Sequence, residues 1–441
     1  MLLREEHHRL EDMKKSAERN ERTAAAVTLT GAVDRQLLSL DASANLPAIY
    51  LKSPTNYPLI YRKRVARLEG KARPGDWVAV YHETQLLGYG VYNPRSEIVV
   101  RVLRRGGELP DRTFWQDVLS RAVALRRELL RLDAVTDAYR VIHAESDGIS
   151  GLVVDRYGET LSAEAFSLGM FQRATQILEL LHPLCGTRDS LVRPSPKMLA
   201  QEGAAVEPIV ADSVPGQVTI QEFGTRFRVR FQGGHKTGFF CDQRENRRKL
   251  AEFCLGRTVL DLCCYTGGFA VQAKKLGQAK EVIGVDLDEE PLRLARENAN
   301  LNQVRVQFVQ SDAFAYMRDM QRNGRRFDVI VLDPPKLINS RAQIEEGARK
   351  HFDLNRLAMQ LVAPGGLLLS CTCAGLLPES EFLRMLYAAS RQAGPLLNDG
   401  SQRHAARELQ ILARTGAAAD HPVAPSCPET EYLTAVWMRL V

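Results

Sequence analysis

Two cysteines bracket a single threonine in LLLSCTCAG, Leu367 to Gly375, where an apolar run ends. Residues i and i+2 of a strand share a face, so Cys371 and Cys373 point the same way unless the strand has stopped between them. Cys373 comes last, directly before Ala374–Gly375, where the chain should turn. A thiolate in that place has a definite chemistry: it adds to C6 of a pyrimidine and makes C5 nucleophilic enough to take a methyl group from a sulfonium. Loss of the C5 proton then expels the sulfur. The alternative for any cysteine is burial as a small hydrophobe, and that fate is expected for Cys371, Cys254, Cys263 and Cys264. No C-x-x-C occurs among the eight cysteines, so no metal site is expected.

Four acidic residues stand where apolar runs end. DLCCYTGG carries Asp261 and then Gly267–Gly268, whose missing side chains admit a ligand close to the backbone. VIGVDLD places Asp286 to accept from both hydroxyls of a ribose. QSDAF offers Asp312 to an adenine amine, and Tyr265 belongs to the same candidate pocket. Acidic strand ends without a phosphate-gripping G-K-S/T loop favour a nucleoside cofactor lacking phosphates, and cationic S-adenosylmethionine fits best. The competing reading is that Asp286 and Asp312 only cap the helices that follow. VLDPPK supplies Asp333, held by two rigid prolines where its carboxylate can meet the polar edge of a flipped base. GGHKTGFFCDQRENR suggests a loop over the site: Lys236 or Arg244 would hold RNA phosphate and Gln243 would touch the methionine end of the cofactor. A plain polar helix start is the other reading of that segment.

These residues need a sheet to bring them together. From Gly233 onward, TVLDLCC, EVIGVDLD, VRVQFVQ, FDVIVLD and GGLLLSCTC read as five strands, mostly separated by helical segments such as EEPLRLARENANLN. That pattern is a doubly wound α/β domain with a largely parallel sheet, over residues 233–441. Residues 1–46 form a polar, charge-mixed arm that reads as a frayed helix or leader. Residues 47–107 break into short strand-like runs, giving a small β-barrel or compact sheet. Its basic residues, Arg62 and Lys63 among them, interleave with Tyr61, Trp77, Tyr89 and Tyr92, which suits RNA; a solvated basic face over core aromatics is the alternative. Residues 108–232 read as an α+β middle region. The net charge of +6 permits an acidic partner without demanding one. No run is long and apolar enough to span a membrane, and the first residues lack a signal-peptide core, so a cytoplasmic location is expected.

The sequence resembles the bacterial ribosomal RNA large-subunit methyltransferase I family, from about residue 47 to the end. The similarity is carried by VARLEG, ESDGISGLVVDRYG, GGHKTGFFCDQR, YTGGFAV, DVIVLDPPK, the CAGLL segment and GAAADHPVAPSCPETEYL. It implies an N-terminal RNA-binding PUA domain, a middle α+β domain and a Rossmann-like class I S-adenosylmethionine fold. It also implies formation of 5-methylcytosine in large-subunit rRNA, with a catalytic cysteine at the position matched by Cys373. Cys371 is an addition to the family's S-C-S-G-like stretch. Lys336, grouped here with the RNA-binding residues, stands where many other RNA cytosine-5 methyltransferases carry a second cysteine; the base that removes the C5 proton is left unassigned. The alternatives are an RNA methyltransferase acting on an exocyclic amine through DPPK, or a non-catalytic RNA-binding assembly factor. The sequence leaves homodimerisation open.

Overall fold

The structure, a computed structural model, describes residues 37–231, 238–395 and 404–441. Its N-terminal unit is a six-stranded sheet of β1 (Ala48–Leu51), β2 (Leu59–Tyr61), β3 (Val65–Glu69), β4 (Trp77–His82), β5 (Gln85–Tyr92) and β6 (Ile98–Arg105). The order is β2-β6-β5-β4-β1-β3, with β1 parallel to β4 and the other pairs antiparallel. Alternation along WVAVYH sends Val78 and Val80 into one core with Ile49 and Val100. Trp77 and Tyr89 enter a second core, shared with Trp115 and Phe171 of the middle region. Those two aromatics are therefore packing residues, not stacking platforms for bases. The arm also needs correcting at its end: Leu38 is buried, and the carbonyls of Leu37 and Leu38 accept from the indoles of Trp77 and Trp115. Residues 1–36 lie outside the described residues.

The middle region is a five-stranded sheet, ordered β11-β10-β9-β8-β7, built from β7 (Ala138–His143), β8 (Leu152–Tyr157), β9 (Thr160–Ala165), β10 (Asp189–Pro194) and β11 (Ile209–Val210). Helices Arg112–Ala124 and Leu168–Cys185 cover it, started by Asp111 and Ser167, whose side chains accept from Phe114 N and Met170 N. Such caps contribute about 1 kcal/mol each. The hairpin of β12 (Gln217–Glu222) and β13 (Thr225–Arg230) leans on the helix Glu289–Leu301 of the last unit. Asn298 and Asn302 accept from the backbone of Arg228 and Arg226, and Glu297 pairs with Arg228 and Arg230.

The last unit is a seven-stranded sheet of β14 (Thr258–Leu262), β15 (Glu281–Asp286), β16 (Gln307–Gln310), β17 (Phe327–Leu332), β18 (Val362–Thr372), β19 (Leu409–Thr415) and β20 (Thr434–Leu440). Its order is β16-β15-β14-β17-β18-β20-β19, with β20 alone reversed: it pairs antiparallel with β18 on one side and β19 on the other, and the remaining neighbours are parallel. The five expected strands are all present, and their near-continuous Val/Ile/Leu runs follow from burial on both faces. Strand order reverses between β14 and β17, and a ligand crevice opens there, beyond the carboxyl ends of the strands.

Candidate active site

Asp261 on β14 is 1% exposed, and one of its oxygens accepts from Ala270 N at 3.0 Å, tethering the helix Gly268–Lys275 to the strand. Its other oxygen is buried without a partner. Burial pushes this carboxyl well above the ordinary carboxylate range, and the neighbouring Asp333 and Asp286 add to the rise. An orphaned acidic oxygen at a switch point fits a cationic ligand, whose charge would draw the proton off.

The turn after β14 is strained. Cys263 and Tyr265 hold φ of 60° and 49°, and Gly267 follows at 77°. Left-handed backbone costs a side-chain-bearing residue about 1–2 kcal/mol, and here it is offset locally: Tyr265 N donates to Asp286 Oδ2 at 2.8 Å. The other Asp286 oxygen accepts from Asp288 N at 3.1 Å. Asp286 thus ties the glycine turn to the end of β15 while remaining half-buried. A Cβ on Gly267 would come within 3.0 Å of Phe308 and 3.1 Å of Ala295. Asp312 does cap the helix Ala313–Arg322, accepting from Ala315 N at 3.0 Å, and it is exposed at the next strand end. Capping uses Oδ1 and does not exhaust a carboxylate's lone pairs. Asp261, Asp286 and Asp312 form no ion pair among the described residues, so together with the Gly267 turn they fit the adenosyl and methionine groups of S-adenosylmethionine.

The other half of the crevice lies between β17 and β18. Leu332 pairs with Ser370, so Asp333 leaves the sheet level with Cys371, and Cys373 follows just beyond the end of β18. Cys371 is 0% exposed, packed with Val329, Val331, Leu369 and Trp437, and burial pushes its thiol far up. Cys373 is half-buried. On the opposite face of the strand, Thr372 Oγ1 lies 3.2 Å from His351 Nε2 and accepts from Ala374 N at 3.3 Å, fixing the turn that carries Cys373. Burial lowers the His351 pKa to about 4, so its ring is neutral near pH 7.

One expected role needs correction. Arg244 is 0% exposed and grips Asp420 with both terminal nitrogens, at 2.8 and 3.1 Å, while Nε donates to Glu245. A guanidinium so enclosed has no edge to offer RNA phosphate. Gln243, 3% exposed, donates to Asp333 Oδ2 at 3.0 Å and accepts from Asn246 at 2.7 Å. Those two bonds do not exhaust an amide with two donor hydrogens and two acceptor lone pairs, so Gln243 stays a candidate for the methionine end of the cofactor. Lys336 is exposed after the two prolines, and Lys63 is exposed on the first sheet. Arg62, also exposed, donates to the carbonyls of Pro94 and Ser96. Lys236 lies outside the described residues.

Sequence reasoning missed Asn246, Thr415, Asp420 and Tyr432. Tyr432 donates to Asp242 at 2.6 Å, and Asp420 also accepts from Arg140 N at 2.8 Å, so the segment DHPVAPSCPETEYL closes the site against the middle region. Its unusual density of Pro, His and acidic residues was the one available signal.

An open sheet with this strand order, a glycine turn after its first strand and acidic strand ends defines an S-adenosylmethionine-dependent methyltransferase. Residues 202–396 match the family described under that name, and residues 55–105 match a PUA-like domain. The chain belongs to the family of ribosomal RNA large subunit methyltransferase I. It is 38% identical over 395 residues to that protein from Aeromonas hydrophila subsp. hydrophila, covering 87% of this chain and 95% of the relative. The protein of the same name from Salmonella arizonae is 35% identical, with 87% and 94% covered. The fold is shared with SMU.776, solved with SAH, at TM-score 0.72 and 19% identity, covering 89% of this chain and 99% of that one. No described helix is long and apolar enough to cross a membrane.

Proposed function

We propose that this protein methylates C5 of a cytosine in large-subunit ribosomal RNA, with Cys373 as the nucleophile. The observation that carries the reading is the contrast between two cysteines: Cys371 is sealed in the core, while Cys373 is half-buried one residue past β18, on the crevice edge shared with Asp333. The relatives' name supplies the rRNA target, and the PUA-like sheet supplies a second RNA-facing surface, with Arg62, Lys63 and Lys336 as candidate phosphate contacts.

In this reading Asp286 takes the ribose hydroxyls, Asp312 the adenine amine, and Asp261 the charge at the methionine end. S-adenosylmethionine supplies an electrophilic methyl on a sulfonium. The Cys373 thiolate forms a bond to C6 of the flipped base, and the electron pair of the C5–C6 bond moves to C5, which would take the methyl group as the methyl–sulfur bond breaks and its electron pair stays on sulfur, leaving the neutral thioether S-adenosylhomocysteine. After transfer the C5 proton leaves to a base, the C5–C6 double bond re-forms, and the Cys373–C6 bond breaks with its electrons returning to sulfur. Asp333 orients the cytosine edge, and His351 with Thr372 holds the turn beneath Cys373.

The test is methyl transfer to rRNA from cells lacking this protein, with the methylated atom mapped by mass spectrometry of digested RNA. Cys373→Ala is expected to abolish transfer and Cys371→Ala to retain it, with the methyl on C5. Loss confined to Cys371→Ala, or a methyl on an exocyclic amine, would overturn the assignment.

A further inference from the structure

We propose that Trp437, Thr415, Asn246 and Gln243 form a one-way hydrogen-bond relay that holds the Asp333 carboxylate in a single orientation. The inference rests on the reading of Asp333 as the residue that meets the base. Trp437 Nε1 donates to Thr415 Oγ1 at 2.9 Å; Thr415 Oγ1 donates to Asn246 Oδ1 at 2.7 Å; Asn246 Nδ2 donates to Gln243 Oε1 at 2.7 Å; Gln243 Nε2 donates to Asp333 Oδ2 at 3.0 Å. The direction is forced at both ends. An indole N–H can only donate, and an ionised carboxylate can only accept. The hydroxyl must therefore pass its proton forward, and each amide between them has one consistent orientation.

One further contact supports that polarity. Asn246 Nδ2 also donates to the Gly416 carbonyl at 3.2 Å, which a flipped amide could not do. Lys249 Nζ sits 5.1 Å from the centre of the Trp437 ring, and a cation over an indole fixes the plane from which the relay starts. Trp437, Asn246 and Gln243 are each at most 3% exposed, while Thr415 and Asp333 are half-buried, so water is shut out of the middle of the relay, at the Asn246–Gln243 bond. The relay runs from the antiparallel pair of β19 and β20 to the loop after β17. It gives those strands a catalytic purpose. Gln243, Asn246 and Thr415 are positioning residues in this scheme, acting through Asp333.

The experiment compares kcat and the KM values for S-adenosylmethionine and RNA in the full-length chain carrying Gln243→Leu, Thr415→Val or Thr415→Ser. Gln243→Leu removes the last donor and should lower kcat about a hundredfold, the scale seen for loss of one preorganised donor. Thr415→Val breaks the relay two links away at nearly constant volume and should cost about fivefold in kcat, with both KM values within about twofold. Thr415→Ser keeps the hydroxyl and should restore kcat. Full kcat in Thr415→Val, failure of Thr415→Ser to rescue, or a loss expressed in cofactor KM instead would overturn the relay. Mapping the product atom in the same reactions separates the two ideas. A methyl found off C5 in the wild-type product sinks the cytosine-C5 reading, whereas unchanged variant rates with a C5 methyl sink only the relay.

Discussion

Two regions of this molecule treat buried acid in opposite ways. Where the middle region meets the catalytic sheet, four carboxylates of the interior each find a guanidinium: Asp147 with Arg126, Asp155 with Arg140, Glu222 with Arg247, Asp420 with Arg244. At the open edge of the sheet, Asp261 is as deeply buried as any of these and has only a backbone amide. The consequence appears in their proton affinities. His421 and Arg244 hold the Asp420 carboxyl below the usual range despite burial, whereas burial drives Asp261 upward and the Ala270 amide and Arg247 only partly oppose it. Charge compensated from within the chain marks structure. Charge left for something else to compensate marks a binding site.

Breaking a member of each set should sharpen this contrast. The largest effect is expected from Arg244→Met, which leaves Asp420 ionised in the interior without its guanidinium, held only by His421 and the Arg140 amide, and should cost about 3 kcal/mol in denaturant unfolding. Adding Asp420→Leu should recover most of the loss. Asp286→Asn should act mainly on binding: it keeps one of the two acceptors for the backbone amides and costs about 1 kcal/mol in stability, while calorimetric affinity for S-adenosylmethionine falls about 30-fold, the worth of a charge-assisted pair of hydrogen bonds.

Asp261→Asn comes next and carries a sign. The folded apo-protein holds the Asp261 proton more tightly than the unfolded chain does, so Asp261 favours the fold at low pH. That contribution is lost as pH rises from the ordinary carboxylate range through the raised value. The apo-stability of Asp261→Asn should therefore fall less steeply with rising pH than that of the wild type, while its cofactor affinity at pH 7 drops about tenfold. An unfolding series from pH 4 to about pH 8 reads the slope. The smallest effect belongs to Asp312→Ala, about 1 kcal/mol from the lost helix cap, with cofactor affinity down by about threefold.

What the sequence disclosed followed the same division. The strand ends carrying Asp261, Asp286, Asp312 and Asp333 were legible because period, length and turn residues are local properties, and an acid at the end of an apolar run stands out. Arg244 was misread, and the Gln243 bond to Asp333 went unseen, because their partners are remote. Arg244 meets Asp420, 176 positions away, and Gln243 meets Asp333, 90 positions away. An arginine near a helix start looks the same whether it faces a phosphate or a buried carboxylate. Trp77 and Tyr89 misled for a related reason: alternation in a strand tells which residues share a face, and only the packed middle region tells that both faces of the first sheet carry a core.

The most direct measurement is the identity of the sulfur that bonds the base. RNA substrate carrying 5-fluorocytosine at the target position cannot lose a proton from C5, so the enzyme–RNA bond should persist after methyl transfer. The linked peptide can then be sequenced by mass spectrometry. The expected result is a nucleotide attached at Cys373 and none at Cys371. Attachment at Cys371, or no adduct from an enzyme that still methylates ordinary RNA, would contradict the mechanism.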